Sequence, residues 1–243
     1  MDKQKDNIME EEFVLFSMDH WRHAFKLDPN KEISDKDLES VCESGTDGII
    51  VGGTDDVTFP GVVDLVSRVK KYSVPCVLEV SSIDAISPEF DAYLIPMVLN
   101  SQDKQWMMDV QHEAIKQYKH FMSWKEMFFE GYCVMNEDAK AFTYTNCKLP
   151  TREDVLAYAY MAEHVFHLPY FYLEYSGMYG DPDLVCDVSS ELGQTKLIYG
   201  GGIHTLAEAK EMSMYADMIV VGNAIYTNLT EALQTVRIKQ QSF

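Results

Sequence analysis

Basic side chains are scarce in this sequence. Its 243 residues include 20 Lys and Arg against 39 Asp and Glu, which gives a formal net charge of −19. Nucleic acids and anionic membrane surfaces attract proteins with basic patches, so this balance argues against either as the main partner. An anionic substrate must then be held by a few local cations, a metal ion and backbone amides.

Long apolar runs are missing as well. No stretch approaches the ~18 apolar residues of a membrane-spanning helix. The acidic start, followed only by the short apolar run Phe13–Phe16, does not resemble a secretory signal. We expect residues 1–17 to form a flexible extension and residues 18–243 to form a single domain.

Cysteine is sparse, and its placement argues against two kinds of site. The five cysteines are odd in number and show no C-x-x-C spacing, so neither a disulfide framework nor a zinc site is supported. Scattered thiols of this kind are typical of reduced cysteines in a cytoplasmic protein. The seven histidines also lack metal-ligand spacing, and the G-x-S-x-G, P-loop and Rossmann fingerprints do not occur.

Hydrophobic residues make up 47% of the chain, and they are arranged in short β-rich runs that alternate with longer amphipathic stretches. The runs are Ala24–Lys26, Gly48–Gly52, Cys76–Val80, Ala92–Pro96, Gly131–Met135, Tyr170–Glu174, Lys196–Tyr199 and Met218–Val221. Eight such strands in a chain of this length favour an α/β fold, a (β/α)8 TIM barrel with parallel strands.

Helices are predicted between most of these strands. Helix-forming stretches, several with a Ser or Thr cap, cover Ser34–Ser44, Phe59–Tyr72, Thr151–His164, Thr205–Met214 and Asn228–Val236. The linker between strands 3 and 4, residues 81–91, contains a proline and is too short for a full helix. We expect helix 3 to be replaced by a loop that leaves an open flank.

Aromatic residues are plentiful, and six apolar side chains are candidates for the lining of a groove that binds a long apolar ligand. They are Tyr93, Met97, Phe121, Tyr132, Tyr170 and Tyr172. Composition does not distinguish such a groove from an ordinary packed core.

Two glycine-bearing strand ends near the C-terminus predict a phosphate site. Leu197–Ile203 contains three consecutive glycines, and Met218–Ala224 runs from a buried strand into Gly222. Glycine lets backbone N–H groups approach an anion closely, and a following helix start adds its dipole. Loops after strands 7 and 8 are where TIM barrels bind phosphate.

Polar residues at the ends of three other strands are candidates for chemistry. Lys26 and Asp28 end strand 1, and Thr54 follows Gly52 and Gly53 after strand 2. The oxygens of Asp28 and Thr54 suit Mg²⁺, which keeps several waters and binds substrate phosphates. The neighbouring pair Asp55 and Asp56 could instead cap the next helix.

Glu174 ends strand 6, where a carboxylate at the barrel mouth is costly unless it is paired or used. It is a candidate general base, with a structural salt bridge as the alternative. Glu79 at the end of strand 3 is a similar but weaker candidate. Strand alternation places Tyr172 and Glu174 on one side of the sheet and Leu173 and Tyr175 on the other.

Several segments together resemble one family, the geranylgeranylglyceryl phosphate synthase-like proteins, and within it the bacterial heptaprenylglyceryl phosphate synthases. The segments are Trp21–Pro29, Gly48–Thr54, Pro75–Val80, Tyr172–Gly177, Tyr199–Ile203 and Val221–Asn223. The resemblance runs from Trp21 to the C-terminal helix, with Met18 similar to a typical family start and residues 1–17 outside it.

The resemblance implies a Mg²⁺-dependent prenyltransferase on a modified TIM barrel, usually a homodimer, that makes at most transient membrane contact. Such an enzyme joins the C3 hydroxyl of sn-glycerol 1-phosphate to a polyprenyl diphosphate. Asp28 and Thr54 would hold the metal, and Glu174 is our candidate for the general base. The residues implied for glycerol 1-phosphate are Lys26, Tyr172, Leu173, Glu174, Tyr175, Ser176, Gly177, Gly202, Gly222 and Asn223.

Three other interpretations remain open on sequence alone. A phosphosugar isomerase or cyclase of the phosphate-binding barrel class uses carboxylates after strands 1 and 5, but strand 5 here ends in Met135-Asn136-Glu137. A Schiff-base aldolase would use Lys26 as its nucleophile. The third is a barrel that binds phosphate or lipid without catalysis.

Overall fold

The computed structural model describes residues 16–54 and 56–240. Its centre is a closed barrel of eight parallel strands in chain order, so the predicted fold is confirmed. The strands are β1 (His23–Leu27), β2 (Gly48–Val51), β3 (Cys76–Glu79), β4 (Ala92–Val98), β5 (Met127–Val134), β6 (Tyr170–Glu174), β7 (Lys196–Gly200) and β8 (Met218–Val221). β8 pairs with β1 and closes the ring.

β4 and β5 are longer than the sequence predicted. They pair from Tyr93↔Met127 to Val98↔Tyr132, which extends β4 past Pro96 and starts β5 four residues before Gly131. A proline and an ionisable residue, Glu130, inside these runs hide the strand pattern, because both are unusual in a central strand.

Alternating side chains divide the barrel into an interior and an outer layer. The interior holds Ala24, Ile50, Val77, Leu94, Tyr132, Tyr172, Ile198 and Val220. The outer layer, which packs under the helices, includes Phe25, Ile49, Leu78, Phe171, Leu173, Leu197 and Ile219. Strand faces of both kinds are buried, as a parallel barrel requires.

Six of the nine helices described around the barrel begin at a side chain that caps them. The nine are α1 (Asp35–Cys42), α2 (Phe59–Val69), α3 (Val110–Tyr118), α4 (Lys140–Tyr144), α5 (Arg152–Tyr160), α6 (Pro182–Glu191), α7 (Leu206–Met212), α8 (Ala224–Thr227) and α9 (Leu229–Gln234). The capped helices are α1, α2, α5, α6, α7 and α9. The hydroxyl of Thr58 accepts the Gly61 N–H and caps α2, so the alternative role of Asp56 as the cap is wrong. Asp55 lies outside the described residues.

One flank of the barrel lacks a full helix. Between β3 and β4 the chain forms a single 3₁₀ turn, Ile83–Ala85, which confirms the expected loss of helix 3. The long segment between β4 and β5 folds into a π-helical turn (Gln105–Asp109), α3 and a 3₁₀ turn (Trp124–Glu126). This segment covers the flank only in part.

α6 was not predicted, although its start carries a signal. Asp181 accepts the Asp183 N–H as the cap, and Pro182 takes the first helical position. This Asp-Pro pair is a typical helix start.

The first residues described already touch the barrel. Phe16 packs edge-on against Trp21 at 6.0 Å between ring centroids, and it also meets Phe128. Residues 1–15 of the predicted extension lie outside the described residues. Within the described part of the chain, no helix is long and apolar enough to cross a membrane.

Candidate active site

A polar cavity of about 370 Å³ lies at the carboxyl ends of the barrel strands. Nine of the residues predicted for the site line it: Lys26, Asp28, Thr54, Tyr172, Glu174, Ser176, Gly177, Gly222 and Asn223. Parallel strands bring their carboxyl ends to one rim of a barrel, which is why residues from β1, β2, β6 and β8 meet here.

Lys26 is the cation at the centre of this cavity. Its Nζ lies 2.6 Å from Glu79 Oε1 and 3.7 Å from Glu174 Oε2, and it faces the Tyr172 ring at 5.6 Å from the centroid. Burial alone would lower the pKa of Lys26, but the two carboxylates outweigh it and raise the pKa. The amine is therefore held as an ammonium ion, which suits anion binding and not Schiff-base attack.

Glu174 is fixed by donors on both of its oxygens. The Tyr132 hydroxyl donates to Oε2 at 3.0 Å, and the Ser176 N–H donates to Oε1 at 2.5 Å. Ser176 reaches this position with φ of 42°, in the left-handed region that is uncommon for residues other than glycine. The Lys26 ammonium also lies 3.7 Å from Oε2, so the carboxylate is held by charge as well as by these two hydrogen bonds.

Glu79 shares the cluster with Glu174. Burial raises the pKa of Glu79, and the nearby Lys26 ammonium acts against this rise. Sequence reasoning rated it below Glu174, but the structure places it closer to the lysine.

Glycine-rich loops and a second lysine form the far side of the cavity. Gly177 and Gly201 adopt φ of 87° and 114°, and a Cβ on Gly201 would lie 2.7 Å from the Ser176 nitrogen. Lys31 donates to Asn223 Oδ1 at 2.8 Å and lies over the Tyr226 ring. Lys31 was missed from the sequence because only the closed barrel brings it beside the strand-8 loop.

Asp28 and Thr54 lie in the same cavity with oxygens available. The Asp28 carboxylate lies against Gly53, where a Cβ would come within 2.8 Å of Oδ1. Its Oδ1 also accepts the Asn30 N–H at 2.9 Å. One carboxylate and one hydroxyl are a sparse but suitable donor set for Mg²⁺, which completes its shell with water and substrate oxygens.

Three predicted site residues do not line the cavity. Leu173 and Tyr175 point into the outer layer, where Tyr175 packs on Tyr199 at 5.5 Å between centroids. Gly202 adopts φ of 65° and packs against the backbone of Met178 and Tyr179, with Gly201 at the cavity instead. Strand alternation predicted that Leu173 and Tyr175 lie on the side of β6 opposite Tyr172 and Glu174, and the structure shows that this side faces the outer layer.

An apolar groove of about 660 Å³ runs from the polar cavity along the flank that lacks helix 3. The residues common to both spaces are Gly53, Thr54, Glu79, Tyr132 and Ala141. Of the six predicted groove residues, Tyr93, Phe121 and Tyr132 line it, whereas Met97 and Tyr170 do not and Tyr172 lines the polar cavity.

The two connected spaces fit an amphiphilic ligand. A charged head would lie among Lys26, Lys31 and the glycine loops, and an apolar tail would follow the groove. The Glu174 carboxylate is at hand to accept a proton from a hydroxyl in the polar cavity. This arrangement permits the transfer of a chemical group between a hydrophilic and a lipophilic substrate.

Comparison with known families supports the resemblance noted from the sequence. The PcrB family profile matches residues 16–240. The heptaprenylglyceryl phosphate synthase of Oceanobacillus iheyensis is 62% identical over 221 residues, which cover 90% of this chain and 96% of that protein. The synthase of the same name from Geobacillus sp. (strain WCH70) is 54% identical over 228 residues, 93% of this chain and 100% of that protein.

Solved structures agree on the architecture. The (S)-3-O-geranylgeranylglyceryl phosphate synthase of Thermoplasma acidophilum, in complex with its substrate sn-glycerol-1-phosphate, superposes with a TM-score of 0.80 at 27% identity, covering 91% of this chain and 94% of that one. The geranylgeranylglyceryl phosphate synthase (GGGPS) of Thermoplasma volcanium gives 0.81 at 25% identity, covering 92% and 94%. Tryptophan synthase of Mycobacterium tuberculosis, at 0.52 and 17% identity over 90% of this chain and 89% of that one, shares the fold alone.

Proposed function

The chain belongs to the PcrB family, and from this membership we propose that it joins the C3 hydroxyl of sn-glycerol 1-phosphate to a long polyprenyl diphosphate, heptaprenyl by the names of its relatives. The products are an ether-linked prenylglyceryl phosphate and diphosphate. The chain is thus a transferase of lipid biosynthesis.

The observation that carries this proposal is the junction of the two spaces. The polar cavity, with its lysines and glycine loops, opens into the apolar groove at Thr54, Glu79 and Tyr132. Glycerol phosphate fits the first space, a prenyl tail fits the second, and the reacting atoms would meet where the two join.

In this proposal Lys26, Lys31 and Asn223 bind anionic groups, and Glu174 is the general base. The glycerol C3 oxygen forms a bond to C1 of the prenyl chain while the bond from C1 to the diphosphate oxygen breaks. Diphosphate leaves with the electron pair, and Glu174 accepts the hydroxyl proton. Tyr132 and the Ser176 N–H hold the carboxylate in place for this step.

Asp28 and Thr54 would hold Mg²⁺ in this site, because their oxygens face the cavity and suit that ion. When bound, the metal would neutralise charge that develops on the leaving diphosphate. Lys26 supplies a further positive charge to the same cavity.

The first experiment is a product assay with labelled sn-glycerol 1-phosphate, Mg²⁺ and prenyl diphosphates of several lengths. Label that passes into the organic phase would support the transferase. It should be absent when EDTA removes the metal, and absent when labelled sn-glycerol 3-phosphate replaces sn-glycerol 1-phosphate as the acceptor. Glu174→Gln should lose turnover and keep glycerol phosphate affinity, whereas Glu153→Gln on the exposed start of α5 should match the parent. Near-normal turnover in Glu174→Gln would remove Glu174 from the mechanism.

Two alternative functions predict other outcomes of that assay. A phosphosugar isomerase or cyclase has no use for the apolar groove, and it would give no extractable product at any chain length. A non-catalytic barrel would bind one or both substrates and release them unchanged, so it would also give no product.

Two further parts of the proposal concern the state of the protein in the cell. We propose a homodimer, which the family resemblance supports and which light scattering of the purified chain would test. A cytoplasmic location is supported by all five cysteines being free thiols, and localisation of a tagged chain by fractionation would test it.

A further inference from the structure

A short basic and aromatic turn interrupts the acidic surface of this chain. Residues 116–125, which we call the basic tip, contain Lys116, Lys119 and Lys125 and no acidic residue. Glu113 and Glu126 flank this segment, so residues 113–126 hold three lysines against two glutamates, which is still a local reversal of charge in a chain with a net charge of −19.

The aromatic side chains of the basic tip are exposed. Phe121 is 88% exposed, Trp124 50% and Tyr118 39%. Single exposed apolar residues are ordinary, but three large rings within seven residues of one turn form a patch that water solvates poorly. Lys116 pairs with Glu113 on the surface, while among the described residues Lys119 and Lys125 have no ion pair.

Chain topology places the basic tip at the end of the barrel opposite the polar cavity. β4 and β5 are parallel, so the segment that joins them must return from the carboxyl end of β4 to the amino end of β5. The basic tip comes just before Met127, the first residue of β5. Tyr118, Phe121 and Met122 also line the apolar groove, so the basic tip marks its far end.

We propose that the basic tip docks onto the surface of a lipid bilayer that contains anionic phospholipid. Lysines near such a surface are attracted by its negative potential, and Trp and Tyr rings favour the boundary between headgroups and acyl chains. The acidic charges elsewhere on the chain are screened beyond about 8 Å at physiological salt. Docking here aligns the far end of the groove with the acyl layer.

A second copy of this chain fits the basic tip less well than a bilayer does. A two-fold interface built on this patch would bring two sets of like charges together, because the same surface is used by both partners. The anionic bilayer has the complementary charge and an apolar layer for the rings. Docking would give the groove access to a prenyl diphosphate held in the membrane, and this purpose rests on the proposed function. The binding to the bilayer itself does not.

The test is co-sedimentation of the full chain with vesicles of phosphatidylcholine alone or mixed with phosphatidylglycerol. Binding is expected only to the mixed vesicles, and it should fall when ionic strength rises from about 0.1 M to about 1 M, where the Debye length shrinks to about 3 Å. The double variant Lys119→Gln with Lys125→Gln should weaken binding about tenfold or more, since each lysine near the surface contributes about fivefold. Trp124→Ser should also weaken binding to the mixed vesicles at about 0.1 M ionic strength.

The matched control is Lys36→Gln with Lys210→Gln, which removes the same charge from exposed positions on α1 and α7. An equal loss in this control, equal binding to neutral vesicles, or no binding to the mixed vesicles would overturn the proposal. Size exclusion with light scattering provides another check: if the tip variants dissociate an oligomer, the tip is an interface between copies and the proposal is wrong.

Activity on detergent-dispersed prenyl diphosphate separates this proposal from the proposed function. The tip variants should keep that activity and lose only vesicle binding. If the parent chain binds vesicles but forms no product from any prenyl diphosphate, the proposed function fails and the docking surface stands. If product forms but the parent chain does not bind the vesicles, the proposed function stands and the docking surface fails.

Discussion

Replacing Glu130 by glutamine should change how the stability of the barrel depends on pH. Glu130 is fully buried inside the barrel, and neither of its carboxyl oxygens has a hydrogen-bond partner among the described residues. Burial raises the pKa of Glu130 well above its usual range, and Glu79 and Glu174 raise it further, against the opposing Lys26 charge. The folded protein therefore keeps a proton that the unfolded chain loses above about pH 4.5.

The sign of the effect follows from proton binding. A folded state that binds more protons than the unfolded one loses stability as pH rises, by about 1.4 kcal/mol per pH unit until the folded pKa is reached. His23 acts in the opposite direction, because burial lowers its pKa from 6.5 to about 3. The contribution of His23 to the free energy of unfolding falls as pH drops below about 6.5. In the parent protein, the pH dependence of stability from His23 therefore opposes that from Glu130.

Subtraction isolates Glu130, since His23 is present in both proteins. As pH rises above about 4.5, the difference in unfolding free energy between Glu130→Gln and the parent should shift in favour of the variant, with a slope of at most about 1.4 kcal/mol per pH unit. Equilibrium urea unfolding at several pH values, with m-values checked for constancy, measures it. Parallel curves for variant and parent would refute the reasoning, and exposed Glu153→Gln should give such parallel curves.

Three further predictions concern packing and the site. Gly48→Ala should destabilise the fold by about 1–3 kcal/mol in urea, because its Cβ would lie 2.0 Å from the Trp21 ring, while Gly193→Ala, with 3.6 Å to its first neighbour, should cost less. Glu79→Gln should lower kcat/KM roughly 10- to 100-fold, because Lys26 is then free to pair with Glu174. Unchanged kinetics would show that Glu79 does not position Lys26. Thr54→Val should require more Mg²⁺ for half-maximal turnover than Thr54→Ser, and equal Mg²⁺ titrations would argue against Thr54 as a ligand.

The sequence was sufficient for the barrel and for much of the polar cavity. The ends of strands 1, 2, 6 and 8 could be predicted from the local sequence around Lys26, Gly52, Glu174 and Gly222. A parallel barrel brings such ends together whatever their separation in sequence. Alternation also separated Tyr172 and Glu174 from Leu173 and Tyr175, but only the closed barrel shows that the second pair faces the outer layer.

What the sequence did not predict depends on contacts between distant segments. Lys31 reaches Asn223 only across the closed ring, 192 positions along the chain. β4 and β5 were cut short because Pro96 and Glu130 break the strand pattern, although their mutual pairing extends them. The helix within the β4–β5 segment was not predicted, and it buries no residue because its apolar face lines an open groove and not a core.

The single 3₁₀ turn between β3 and β4 has an evolutionary consequence. Because no helix closes this flank, the far half of the groove is built mainly from one continuous stretch between β4 and β5, separate from the residues that surround Lys26 and Glu174. Substitutions in that stretch can alter the length or shape of the tail accepted without disturbing strand pairing or the polar cavity. Tail preference and catalytic chemistry are thereby free to diverge independently in related barrels.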